Sequence, residues 1–143
     1  MNAITLWQPW ATLMADGYKT IETRSWYSGK FGPMAIHAGK HWDNQTKAMC
    51  RSWPWVEALP LTELPLGCVV AIGEFCACRR VLWPEAREAD RQLEKSMLKS
   101  SLSEYYWGDF SEGRWLWIFR NVHAIEPVPA VGKQGIWKWE GKQ

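Results

Sequence analysis

No apolar run in the chain approaches the roughly 18 residues that a membrane-spanning helix needs. The first residues, Met1-Asn2-Ala3-Ile4-Thr5, have neither the basic start nor the apolar stretch of a secretory leader. Both absences make a cytoplasmic protein with no membrane partner the expectation. An excess of charge of one sign is missing too: 17 Lys+Arg stand against 15 Asp+Glu, a formal net charge of +2. Proteins that wrap duplex nucleic acid present whole basic faces, so duplex DNA is not an expected partner, although a local basic groove stays open. The phosphate-cradling patterns G-x-x-x-x-G-K-S/T and G-x-G-x-x-G are absent, as are the G-x-S-x-G elbow and H-E-x-x-H. There are 4 cysteines and 3 histidines. Cys76-Ala77-Cys78 lacks the C-x₂₋₄-C spacing of zinc sites, and the H-x-E with P-C-x-x-C pattern of zinc nucleobase deaminases does not occur. Buried thiols, no metal and no cofactor are therefore expected, and without a leader a disulfide framework is not.

What the chain has instead is tryptophan, 12 residues against 4 Tyr and 4 Phe. An indole carries a large apolar body and one donor, which suits pocket walls and stacking surfaces as well as cores. At 143 residues and 47% hydrophobic, the chain reads as one domain, residues 1–143, able to bury a core.

In order, Ala3 to Leu6 reads as a strand. Pro9 sits where a helix starts and Gly17 where one ends, with Trp10, Leu13 and Met14 at helical spacing between them. Thr20 to Arg24 is a second strand, whose period of two puts Thr20, Glu22 and Arg24 on one face. Gly32 to His37 is a third strand, and Asp43 or Asn44 caps a helix that stops before Pro54. Residues 60–67 form a loop. Cys68 to Val81 is the longest strand, its even face running Cys68, Val70, Ile72, Glu74, Cys76, Cys78. Glu74 is then a lone carboxylate in an apolar row, expected to meet a cation or line a wet cavity. A charged helix is expected from Pro84 to about Ser100, a strand over Arg114–Val122 and a closing one over Gly135–Trp139. This mixture fits an α+β domain with a small mixed barrel.

The chemistry concentrates in Gly17-Tyr18-Lys19-Thr20-Ile21-Glu22-Thr23-Arg24. A lysine beside a glutamate in a partly dry pocket stabilises an oxyanion or supplies a proton, while the carboxylate takes one from water. Arg24 holds that carboxylate ionised or clamps a substrate oxygen or phosphate. The same charges also fit a structural salt-bridge cluster at a strand start. Thr20 and Thr23 are candidate nucleophiles, though threonine is common in strands for its propensity alone.

Leu6-Trp7-Gln8-Pro9-Trp10-Ala11 followed by Gly17-x-Lys19-x-x-Glu22-x-Arg24 resembles the signature of the ASCH domain, a relative of the PUA RNA-binding fold. Ile36-His37-Ala38, residues 108–114 and Gly132-Lys133-Gln134-Gly135-Ile136-Trp137 add to the resemblance, which spans nearly the whole chain. It implies a PUA-like small mixed β-barrel with flanking helices and a cleft lined by the G-x-K-x-x-E-x-R residues. It also implies binding of RNA or nucleotides, or, as in small stand-alone members, N4-acetylcytidine amidohydrolase activity; ribonuclease activity is proposed for others. By position Lys19 matches the amidohydrolases' catalytic lysine. Their catalytic threonine falls at Glu22, and their further glutamate has Glu74, Glu94 and Glu104 as candidates. The resulting expectation is hydrolysis of an N4-acylated cytidine, with Glu22 activating water and Lys19 polarising the carbonyl. Trp7, Trp26 or Trp137 would stack the pyrimidine, and Gln8, His37 or Arg24 would read its edge or sugar, with Thr20 and Glu74 nearby. The alternative is a single-stranded RNA or nucleotide-binding module, with Lys19, Arg24, Lys30 and Lys40 tracking phosphates and ribonuclease activity as a catalytic extension.

Overall fold

The computed structural model describes residues 1–53, 56–59, 61–81 and 104–141. The helix expected from Pro84, and with it Glu94, lies outside them. The described elements run β1 (Asn2–Leu6), α1 (Trp10–Ala15), β2 (Ile21–Arg24), β3 (Gly32–Ala38), α2 (Asn44–Arg51), β4 (Cys68–Arg80), β5 (Trp115–Pro129) and β6 (Ile136–Lys138), with short 3₁₀ turns at Val56–Ala58 and Glu104–Trp107. The strands form one six-stranded sheet in the order β2-β5-β4-β3-β1-β6, in which β1 and β3 are parallel and the other neighbours antiparallel.

The sheet is strongly curled. In a flat sheet β1 and β2, four strand spacings apart, would be separated by nearly 20 Å. Yet Arg24 on β2 donates from Nη2 to the Thr5 carbonyl on β1 at 2.9 Å. The outcome is an α+β half-barrel, and α1 fills its hollow. Ala11, Met14 and Ala15 join Ile4, Leu6, Met34, Ile36, Phe75, Trp117 and Phe119 in the main core. Leu13 faces away from the sheet into a second cluster with Cys50, Trp53, Leu59 and Trp107, against which Trp10 packs. A six-residue helix buried on two sides shows no single apolar stripe, and its stability comes from packing. It ends as expected: Gly17 has φ of +81°, the left-handed conformation that glycine adopts without penalty after a helix. The α2 cap is Asp43, whose Oδ1 accepts from the Thr46 backbone N–H at 2.8 Å.

Two β-bulges overturn the expected reading of β4. Against β3 the register slips at Val70, where Ile36 pairs with Ala71 and His37 with Val69. Against β5 it slips at Cys76, between the Phe75–Phe119 and Ala77–Ile118 pairs. Each extra residue switches which parity faces inward. Core residues on β4 therefore run Cys68, Val70, Ala71, Phe75 and Cys78, while Val69 and Ile72 pack on the opposite face. Glu74 shares that opposite face and is exposed, with Asn121 Nδ2 at 3.5 Å. Among the described residues its cross-strand neighbour on β5 is Arg120, and it lines neither chamber of the tryptophan-walled cleft. β5 is also longer than expected, running to Pro129 past a bulge at Asn121, whose φ is +51°. All four cysteines are free, and burial pushes the Cys50 thiol up to about 11. Among the described residues no group of three or more His, Cys, Asp or Glu could hold a metal, and no helix is long and apolar enough to cross a membrane.

Candidate functional site: a tryptophan-walled cleft

β2 follows α1 through a tight turn in which the Tyr18 and Lys19 N–H groups both donate to the Leu13 carbonyl. The turn aims Lys19 inward, where it is 1% exposed. Its ammonium donates to the Ile21 carbonyl and lies 3.6 Å from Glu22 Oε2. Glu104, also buried, is close enough to feel the Lys19 charge. One Glu104 oxygen accepts from the Thr20 and Ile21 N–H groups at 2.6 and 2.8 Å, and the second from the Thr20 hydroxyl at 2.6 Å. Burial raises the Glu104 carboxyl above the usual range, opposed by the Lys19 charge and these three hydrogen bonds. A glutamate 84 residues away thus pins the start of β2.

Beyond Ile21 the strand turns outward. Period two places Glu22 and Arg24 on one face as expected, with Arg24 Nε 3.2 Å from Glu22 Oε1 and the guanidinium carbon 6.0 Å from the centre of the Trp117 ring. Glu22, Thr23, Arg24 and Arg114 line a chamber of about 430 Å³ together with Trp7, Trp10 and Trp26. Thr5, Trp7, Arg24 and Trp26 also line an adjoining chamber of about 1090 Å³, whose far wall is His37, Lys40 and the loop from Pro129 to Gly135. Trp7 and Trp26 are 55% and 39% exposed, unusual for indoles that nonetheless have fixed seats. Trp7 stacks on His41 at 3.8 Å, and Trp26 meets Trp117 edge-on at 4.6 Å. The cleft wall carries four cations, Arg24, Lys40, Arg114 and Lys133, against one carboxylate, Glu22.

The far wall depends on a close approach. A side chain on Gly132 would fall within 2.6 Å of His37 Nδ1 and 2.9 Å of Thr5 Oγ1, so only glycine lets the loop lie on the imidazole. His37 bonds through Nε2 to the Ala130 carbonyl at 3.0 Å, which requires the proton on Nε2, and burial lowers its pKa below the ordinary histidine value.

Of the residues singled out in the sequence, the cleft brings together Trp7, Glu22, Thr23, Arg24, Trp26, His37 and Lys40, while Lys30 lines neither chamber. Lys19 lies behind Glu22, lining neither chamber. Thr20 is turned to Glu104. Gln8 is fully buried, bonding Thr12 and the Pro65 carbonyl at the start of α1, and so is not free to read a ligand. Trp137 packs in the core with its N–H on Thr5 Oγ1 at 3.2 Å. Glu74 is elsewhere on the surface. Lys133 and Arg114 were assigned no site role from the sequence, although both lie in stretches of the ASCH resemblance, and Glu104 was one of three candidate glutamates; folding brings all three to the site region.

No protein-family model matches the chain, and no curated protein does either. Among solved structures, the crystal structure of ASCH from Zymomonas mobilis superposes with a TM-score of 0.52 at 16% identity, covering 90% of this chain and 72% of that one. The chain has the ASCH fold. Two single-substitution variants of the Zymomonas protein also match, each at TM-score 0.47 and 17% identity, covering 90% of this chain and 72% and 74% of theirs. The PUA-like small mixed β-barrel with flanking helices expected from the ASCH resemblance is observed as a curled six-stranded half-barrel with α1 inside its hollow.

Proposed function

We propose that the cleft binds a single-stranded RNA or a nucleotide, with a base against Trp7 or Trp26 and the sugar-phosphate on Arg24, Lys40 and Lys133. The observation that carries this reading is the pairing of two exposed, seated indoles with four cations in one cleft. Stacking on an aromatic contributes about 1–3 kcal/mol per base and tolerates any base. Glu22, flanked by Arg24 and Lys19, accepts hydrogen bonds from a base edge or ribose hydroxyl. Fluorescence anisotropy of a labelled pyrimidine octanucleotide tests the reading. Binding is expected at low salt and should weaken along a log–log slope of about −2, three phosphate contacts at roughly −0.7 each. Absent or salt-independent binding would count against it.

A second reading, hydrolysis of the N4-acyl amide of N4-acetylcytidine, rests on the Glu22 carboxylate lining the smaller chamber, whose 430 Å³ suits a base-sized ligand. Glu22 would take a proton from water as the oxygen attacks the acyl carbon. The C–N4 bond breaks, the proton passes to N4, and cytidine and acetate leave. Lys19, lining neither chamber, acts here through Glu22 rather than on the carbonyl. Acetate release from N4-acetylcytidine, abolished by Glu22→Gln, is the expected result; unchanged substrate after prolonged incubation rejects the hydrolase.

A further inference from the structure

The inner face of the sheet extends past the cleft. Cross-strand partners share a face, so the pairs Glu22–Trp117 and Trp117–Cys78 define one row across β2, β5 and β4. Two residues along β5 the next row is Arg24, Trp115 and Arg80. Arg24 belongs to the cleft; Trp115 and Arg80 line neither chamber. At this row the Arg80 guanidinium carbon lies 5.9 Å from the centre of the Trp115 ring, and Tyr27 meets the same ring at 5.1 Å with 65° between planes. Tyr27 is 53% exposed and Arg80 is exposed. Arg24 and Arg80 are two strand spacings apart, roughly 10 Å.

The ledge repeats the chemistry of the cleft wall. Arg24 lies over Trp117 with Trp26 at its edge; Arg80 lies over Trp115 with Tyr27 at its edge. Trp26 and Tyr27 are consecutive, so the two aromatic groups adjoin. The row holds two guanidinium groups and no carboxylate, which suits a polyanion. A free nucleotide would fill the cleft and leave this ledge bare. We propose that the ledge is a second nucleotide position, over which a single RNA strand leaves the cleft with its next base on Tyr27 and the adjoining phosphate on Arg80. The proposal rests on the RNA reading above and turns it from one-nucleotide recognition into recognition of a strand.

Displacement of a labelled octanucleotide by unlabelled CMP, a dinucleotide and a tetranucleotide tests it. The tetranucleotide should displace at about tenfold lower concentration than CMP, one added stack and phosphate contact. Tyr27→Ala and Arg80→Glu, both at exposed positions, should each remove most of that gain and leave CMP displacement unchanged. Equal potency of all three competitors in the wild type, or a length gain that survives both substitutions, overturns the ledge while leaving the cleft reading intact. Weakening of CMP by the same factor as the tetranucleotide also overturns it, since the ledge would then not be a separate position. If neither CMP nor any oligonucleotide competes or binds, the RNA reading fails and the ledge fails with it.

Discussion

The two halves of the Gly17–Arg24 run do opposite work. Lys19, Thr20 and Ile21 turn inward to a buried carboxylate from a distant turn, while Glu22, Thr23 and Arg24 face the cleft. Both halves carry charge, so charge alone does not mark function. Solvent access separates them: the inner groups are removed from water and hold backbone in place, and the outer ones line a solvent-accessible cleft. A charge cluster at a strand start can therefore be a structural anchor on one side and, in the proposed reading, a binding face on the other.

The largest expected effect lies in the inner half. Lys19→Met removes a buried ammonium that pairs with Glu22 and favours the charged form of buried Glu104, and should lower unfolding free energy by about 3–5 kcal/mol in urea denaturation. Adding Glu104→Gln should recover part of that loss. A loss below about 1 kcal/mol would erase the distinction between the halves. In the outer half, Arg24→Ala should weaken nucleotide binding by roughly 10- to 100-fold, from loss of a charge-assisted contact of about 1.5–3 kcal/mol, measured by isothermal titration calorimetry. Its stability loss should stay near 1 kcal/mol, from the hydrogen bond to Thr5, since the part-exposed ion pair with Glu22 contributes little. Lys133→Ala should be quieter still, leaving stability within about 0.5 kcal/mol while flattening the salt dependence of RNA binding by about 0.7.

The smallest effect concerns acid. Burial lowers the His37 pKa, so below the ordinary value of about 6.5 the unfolded chain takes up a proton that folded His37 refuses. This contribution to stability is complete above that value and is lost as pH falls toward the folded pKa. His37→Gln should make stability less sensitive to pH across that window, as read by thermal unfolding at a series of pH values.

The elements were largely legible because Gly17, Pro9, Asp43 and the strand alternation are local signals. The face of β4 was not. Bulges at Val70 and Cys76 arise from pairing with β3 and β5, and no local pattern announces them; a strict period of two consequently sent Glu74 inward when it lies outside. The site divided the same way. Glu22 and Arg24 on β2 were placed on one face by strand spacing, whereas Trp7 and Trp26 came as candidates with the ASCH resemblance. Glu104 was only one of three glutamates to choose from, since its contact with Thr20 closes a loop of 84 residues. Gln8 misled because a polar residue beside the motif looked available, whereas folding commits its amide to the start of α1.

The cleft is tested most directly by the indole N–H signals of the twelve tryptophans in a ¹H–¹⁵N NMR titration with CMP. Signals assigned through Trp7→Phe and Trp26→Phe should move saturably, while that of Trp137, buried with its N–H on Thr5, should stay nearly still. Movement confined to other tryptophans, or no movement at millimolar CMP, would contradict a ligand cleft walled by Trp7 and Trp26.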